Sequence, residues 1–109
     1  MSGSGGGGGG SGGFESVDCS SVQLRTHLSS PKPAVIKTLQ KNDQLTVELQ
    51  NHGGRSVVVA KTAKGQEAGS ITGSGLAKLI ECLHQGHPFK AVVISVEGGG
   101  CLVNVTSAI

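Results

Sequence analysis

Short runs in which aliphatic and polar residues alternate, each closed by a turn rich in glycine or proline, recur from residue 22 to the end of this chain. A period of two places successive side chains on opposite faces of an extended strand, so the pattern commits the chain to half-buried β-structure. Val22, Leu24, Thr26 and Leu28 alternate with Gln23, Arg25 and His27. Leu45, Val47 and Leu49 alternate with Thr46 and Glu48. Val57, Val58 and Val59 form a β-branched run that reads as a strand buried on both faces or set in a barrel wall. Residues 67–71, 89–96 and 102–105 complete the set, and Gly69 marks a bulge or a close backbone approach. Asn51-His52-Gly53-Gly54, Ala63-Lys64-Gly65-Gln66 and Gly98-Gly99-Gly100 are tight-turn signals between them.

Two segments break the period. Ser30 is a helix cap with Pro31 at the first helical position, and Val35, Ile36 and Leu39 give a short helix over residues 31–40. Asn42-Asp43 then turns the chain. The main helix spans residues 75–85, capped by Thr72 or Ser74, with Leu76, Leu79, Ile80 and Leu83 on one face. Gly86 stops it and Pro88 forbids its continuation. The connections are short, so neighbouring strands run antiparallel. The expected fold is α+β, mainly β: a small antiparallel curled sheet or barrel of about six strands, with the main helix plugging one opening. Phe14 and Phe89 are the only aromatic residues, so the core is aliphatic.

Residues 1–13 hold nine of the nineteen glycines and no charge, and are expected to form a disordered arm, native or a tag. Residues 14–109 are the single globular domain, with packing expected from the strand near Val22 and an indefinite border over residues 14–21. Nine Lys and Arg against seven Asp and Glu give a net charge of +2, scattered except for Lys32, Lys37 and Lys41. No run is apolar enough to span a bilayer, and no signal-like segment follows Met1, so no membrane partner is expected. The expected compartment is the cytoplasm, with Cys19, Cys82 and Cys101 reduced, since three cysteines at these spacings fit no disulfide framework.

Several constellations invite a chemical reading. Cys82, His84 and His87 are metal-ligand types, but Cys82 and His84 stand two apart on a helix and point about 200° apart. They read as a solvated helix end, and neither a metal nor a cofactor is expected. Gly73-Ser74-Gly75 follows a strand and opens a helix, a context that cradles anions, with Lys78 one turn on. The nucleotide-binding glycine patterns are absent. No cysteine or serine has an evident base and orienter, and Glu15, Asp18, Asp43, Glu48, Glu67, Glu81 and Glu97 form no acid–base pair, so the expectation is no enzyme. Asn104-Val105-Thr106 is a glycosylation sequon inside a strand, and Ser107-Ala108-Ile109 has the form of a C-terminal PDZ ligand; both patterns are permissive.

One longer pattern runs Leu45-x-Val47-x-Leu49, Val57-Val58-Val59-Ala60, Gly65-x-x-x-Gly69-x-Ile71, Leu76-Ala77-x-Leu79-Ile80-x-x-Leu83 with Gly86, then Ala91-Val92-Val93. It resembles the HIRAN domain, a small β-barrel with an inserted helix found alone in bacteria and fused to remodelling helicases. The resemblance covers residues 44–105 and implies that fold and an affinity for single-stranded DNA ends. The family's Asn-Pro-x-Asp-x-Asn-Ala segment is missing, with Asn51-His52-Gly53-Gly54-Arg55-Ser56-Val57 in its place. The aromatic residues that grip the terminal base have no counterpart, so no ligand residue is carried over. The expected function is a binding module without catalysis, for nucleic-acid ends, using Arg55, Lys61, Lys64, Ser74 and Lys78 on a single strand. The contact surface is expected on a rim of residues 51–55, Gly73, Ser74 and the corner at 84–87. The alternative is a protein-interaction domain using an edge strand or the helix face.

Overall fold

The computed structural model describes residues 18–109; the glycine-rich arm and residues 14–17 lie outside the described residues. A 3₁₀ turn at Cys19–Ser21 leads into β1 (Gln23–His27), α1 (Pro33–Ile36), β2 (Gln44–His52), β3 (Arg55–Lys61) and β4 (Glu67–Ile71). After these come α2 (Leu76–His84), β5 (Phe89–Glu97) and β6 (Gly100–Ser107). The fold is α+β and mainly β, one six-stranded antiparallel sheet in the order β1-β6-β5-β2-β3-β4.

The alternation read from the sequence sets the faces. Leu24, Leu45, Val47, Val58, Ala60, Ile71, Ala91, Val93, Val103 and Val105 belong to one aliphatic core. Gln23, Arg25 and His27 on β1 are exposed. Val59 is buried too, but it stands opposite Glu48 and Ser70 and outside that core, so β3 is covered on both faces. From α2, Leu79 and Cys82 are fully buried, and Leu76, Ile80 and Leu83 pack against the core. From α1 and its continuation, Ile36 and Leu39 are buried.

The sheet is strongly curled but is not closed into a barrel. Just past β1 the chain leaves β6 and crosses to the other end of the strand order. The Leu28 amide donates to the Cys101 carbonyl on β6. Ser29 and Ser70 then exchange two backbone hydrogen bonds of 2.8 and 2.9 Å, an isolated bridge onto β4. Lys32 follows by donating to the Ala68 carbonyl. Gly69 makes this approach possible. A Cβ there would lie 2.9 Å from Leu28 Cβ and 3.0 Å from the Ser29 carbonyl oxygen. Gly69 also stands beside a bulge, because Ala60 faces Gly69 while Lys61 faces Glu67. Both readings of this glycine hold.

Both helix starts differ from the expectation. Ser30 sits at φ 48 and makes no cap; α1 begins at Pro33, with Lys32 as the residue before it. The reason is the crossing: the amide of Lys32 is already tied to β4, so the helix starts only once the chain is clear of the seam. The α1 turn runs through Lys37, and Leu39 follows as a further turn donating to the Ile36 carbonyl. At α2 the cap is Gly75 at φ 90, with no side-chain bond, while Thr72 Oγ1 lies 2.8 Å from Ser29 Oγ. The φ of 90 favours glycine at this position, and a Cβ there would also meet the tip of Leu24 at 2.9 Å, where α2 starts against β1. The other end of α2 closes as expected at Gly86 (φ 87), whose amide donates to the Leu83 carbonyl while the His87 amide reaches Cys82. This pair of bonds is the Schellman motif.

The expectation of three reduced cysteines is overturned. Cys19 and Cys82 form a disulfide with Cα atoms 5.7 Å apart across 63 residues of sequence. Sequence spacing conceals the pairing because it is tertiary: the 3₁₀ turn packs beside the end of α2, and Cys19 is buried there, so packing begins before Val22. The cytoplasmic expectation rested in part on reduced thiols, and for two of them that ground is gone. Cys101 is the free cysteine, buried, with its thiol pKa pushed up by burial. No helix among the described residues is long and apolar enough to cross a membrane.

Gly69→Ala is expected to lower stability by roughly 1–3 kcal/mol, the usual cost of forcing atoms into a packed contact. Denaturant unfolding monitored by far-UV circular dichroism measures it, and an unchanged midpoint would contradict the close approach. Replacing both Cys19 and Cys82 by Ala is expected to cost about 4 kcal/mol on the loop-entropy account of a crosslink spanning such a loop. Thiol titration of the oxidised protein should find no fast-reacting thiol when folded, one when unfolded, and three after unfolding and reduction, the chain's full complement.

Candidate functional site

Antiparallel pairing sorts the connections between two ends of the sheet. One end carries the β1-to-β2 connection with α1 and the β3-to-β4 turn, because the start of β2 lies beside the end of β3. The β2-to-β3 hairpin and the β4-to-α2 loop lie at the other end, since Ile71 faces Val58 and Arg55 faces His52.

This sorting separates the sequence-derived site residues. Arg55 opens β3 and Lys61 closes it, six residue steps apart, or about 20 Å at strand spacing. Lys64 lies in the β3-to-β4 turn, with Lys61. Ser74 and Lys78 lie beyond β4 and on α2, at the end that carries Arg55. The five therefore divide into two groups and form no single surface. Lys61 is also engaged: its ammonium lies 2.6 Å from Glu48 Oε1. That ammonium, with the Gln50 amide, holds the Glu48 carboxyl below its usual range. Four of the five are exposed, Lys61 being half-buried.

The end that carries α1 also gathers lysines from elsewhere in the chain. Lys32 precedes α1, Lys37 ends it, and Lys41 stands in the connection to β2. All three are exposed, as is Lys64. Among the described residues the one ion pair is Lys61 with Glu48, so these four ammonium groups have no carboxylate within 4 Å. The acidic side chains of Asp43 and Glu67, both half-buried, and of Glu97, exposed at the end of β5, are at the same end.

Between the α1-to-β2 connection and the β3-to-β4 turn lies an open cleft of about 260 Å³. Leu39, Leu45 and Ala63 supply its apolar walls, and Asp43, Gln44 and Thr62 its polar ones. Its framework is fixed by backbone bonds. Asn42 donates to the Val93 carbonyl at 2.7 Å, and Val93 donates back to the Asp43 carbonyl at 2.8 Å. Asp43 Oδ2 accepts the Gln40 amide at 2.9 Å. Thr62 Oγ1 accepts the amides of Lys64 and Gln66, both at 3.2 Å, which shapes the turn. Lys41 stands between the lining residues Leu39 and Asp43, and Lys64 directly follows Ala63.

The histidine–cysteine corner is occupied by other business. Cys82 is in the disulfide, and His87 Nε2 lies 2.8 Å from Ser107 Oγ with its ring against Phe89. His84 is exposed on the last turn of α2. No group of three or more metal-ligating side chains occurs among the described residues. The residues the sequence reading passed over for the site are Lys32, Lys37 and Lys41, noted there only as the densest basic stretch, together with Asp43 and Thr62. The available signal was strand parity, since alternating chain direction places the first and third connections at one end.

No family model, no curated protein and no solved structure matches this chain.

Proposed function

We propose that this domain is a module without catalysis that binds single-stranded nucleic acid at the end carrying α1. The observation that carries the reading is the set of Lys32, Lys37, Lys41 and Lys64. Lys32, Lys37 and Lys41 come from the single stretch around α1 and Lys64 from the β3-to-β4 turn; all four are exposed at one end and have no carboxylate partner within ion-pair distance among the described residues. A charged strand backbone is the ligand that such spaced point charges fit, each phosphate contact releasing counterions. The half-apolar cleft beside them favours a single strand over a duplex, because a single strand exposes its base faces. The resemblance to HIRAN domains points to the same class of ligand, although that family's segment would correspond to the opposite end of the sheet.

The alternative of a protein-interaction domain draws less support. The aliphatic stripe of α2 is spent on the core. The facing edges of β1 and β4 meet at the Ser29–Ser70 bridge, and Gly73 and Gly75 come close to Thr26 and Leu24.

Fluorescence anisotropy with a labelled single-stranded oligonucleotide, titrated from low to moderate salt, tests the reading. Binding should weaken with salt, and removing two lysines as Lys41→Ala with Lys64→Ala should flatten the log–log slope by about 1.4 units, given ~0.7 per phosphate on single strands. Arg55→Ala with Lys78→Ala, at the other end, should leave the slope where it was. Absence of binding at low salt overturns the proposal, and the reverse ranking of the two variants moves the interface to the other end.

A further inference from the structure

We infer that the cleft between the α1-to-β2 connection and the β3-to-β4 turn seats one unstacked base of the bound strand, and that it prefers cytosine or adenine over thymine. The inference rests on the reading just given and adds what the cleft does within it.

Size comes first. At about 260 Å³ the cleft is smaller than the roughly 300–1,000 Å³ of sites that enclose a drug-sized ligand, so it suits one compact ring system. Shape and chemistry narrow the choice. The lining combines Ala63, which is exposed, and the buried Leu39 and Leu45 with the polar residues Asp43, Gln44 and Thr62. Lone phosphate is a poor occupant, because the Asp43 carboxylate would repel it. An amine is a good one. Asp43 spends one oxygen on the Gln40 amide, and no hydrogen bond among the described residues engages the other. Thr62 is the complement. Its oxygen already accepts two amides, which leaves its hydroxyl hydrogen to donate. An acceptor and a donor in the lining of one cleft suit the edge of cytosine or adenine, where an exocyclic amine lies next to a ring acceptor. Thymine presents a carbonyl in place of that amine and would face Asp43 with a like partial charge.

Placement ties the base to the strand. Lys41, between Leu39 and Asp43 on one lip, and Lys64, directly after Ala63 on the other, stand where the phosphates on either side of a seated base would run. The seat is also built before the ligand arrives, because the paired bonds among Asn42, Asp43 and Val93 fix the lip that carries Asp43.

The test is anisotropy of the full chain with four labelled strands of equal length: oligo-dC, oligo-dA, oligo-dT and an abasic strand with the same backbone. Seating a base should make oligo-dC and oligo-dA bind about fivefold tighter than the abasic strand, the low end of what stacking on an aromatic side chain gives, since no aromatic residue lines the cleft. Oligo-dT should fall between. Asp43→Asn keeps an acceptor for the Gln40 amide and should bring the dC-to-dT ratio close to one. Ala63→Phe, at an exposed turn position, fills the cleft and should reduce oligo-dC to the affinity of the abasic strand while the salt slope and melting temperature hold. Free cytidine 5′-monophosphate should compete far more weakly than the strand; equal competition overturns the assignment to a strand. If the abasic strand binds as well as oligo-dC with a clear salt slope, the base seat is wrong and the lysine interface stands. If no strand binds at low salt, both fall together.

Discussion

The reciprocal hydrogen bonds between Ser29 and Ser70 join the two ends of the strand order, and much of the molecule is arranged around them. A six-stranded sheet with its natural twist has two open edges and an inner face too wide for two short helices to cover. Here the chain that leaves β1 crosses to β4 and draws those edges together without closing a barrel. The crossing requires a residue without a side chain at 69, where a Cβ would strike both Leu28 and the Ser29 carbonyl. It also fixes where α1 can start and at which end of the sheet its lysines stand. Fold and candidate interface thus meet at this backbone crossing, where Lys32, whose amide is tied to the Ala68 carbonyl, belongs to both.

Legibility followed the range of the interaction. The strands were written in period-two alternation, and β1 shows it cleanly, with Leu24 buried between exposed Gln23 and Arg25. The end of α2 was written in Gly86 and Pro88, a local motif that resolves into the expected pair of backbone bonds. What failed was decided elsewhere in the chain. Ser30 is a good cap by type, yet the seam holds it in a left-handed conformation and moves the start of α1 to Pro33. Cys19 and Cys82 are 63 residues apart, and only the docking of the first turn against α2 reveals them as partners.

The candidate residues were legible by type, whereas which of them share one end of the sheet needed the fold. Grouping Arg55, Lys61, Lys64, Ser74 and Lys78 by chemistry ignored that β3 alone separates the first from the second by its whole length. Lys61 was counted as available although Glu48 neutralises it from the neighbouring strand, a cross-strand relation that needs the register. Lys32, Lys37 and Lys41 had been seen as a basic stretch, but their meaning depends on Lys64 arriving beside them from another hairpin. Polar cleft residues such as Asp43 and Thr62 look like ordinary turn formers in sequence, and they do form the turns; the cleft arises because the two turns are neighbours.

The strand order also governs how the chain can acquire its structure. β1 pairs with β6 alone along its length, Gln23 opposite Thr106, so the first strand made waits for the last. During synthesis β2, β3 and β4 can zip as successive hairpins, and Ser29 can reach Ser70 once β4 has emerged. The Cys19–Cys82 link can form as soon as α2 has left the ribosome. Throughout that interval β1 has no ladder partner, and the crosslink and seam are the two ties available to keep its unpaired backbone beside the growing sheet until β6 is delivered.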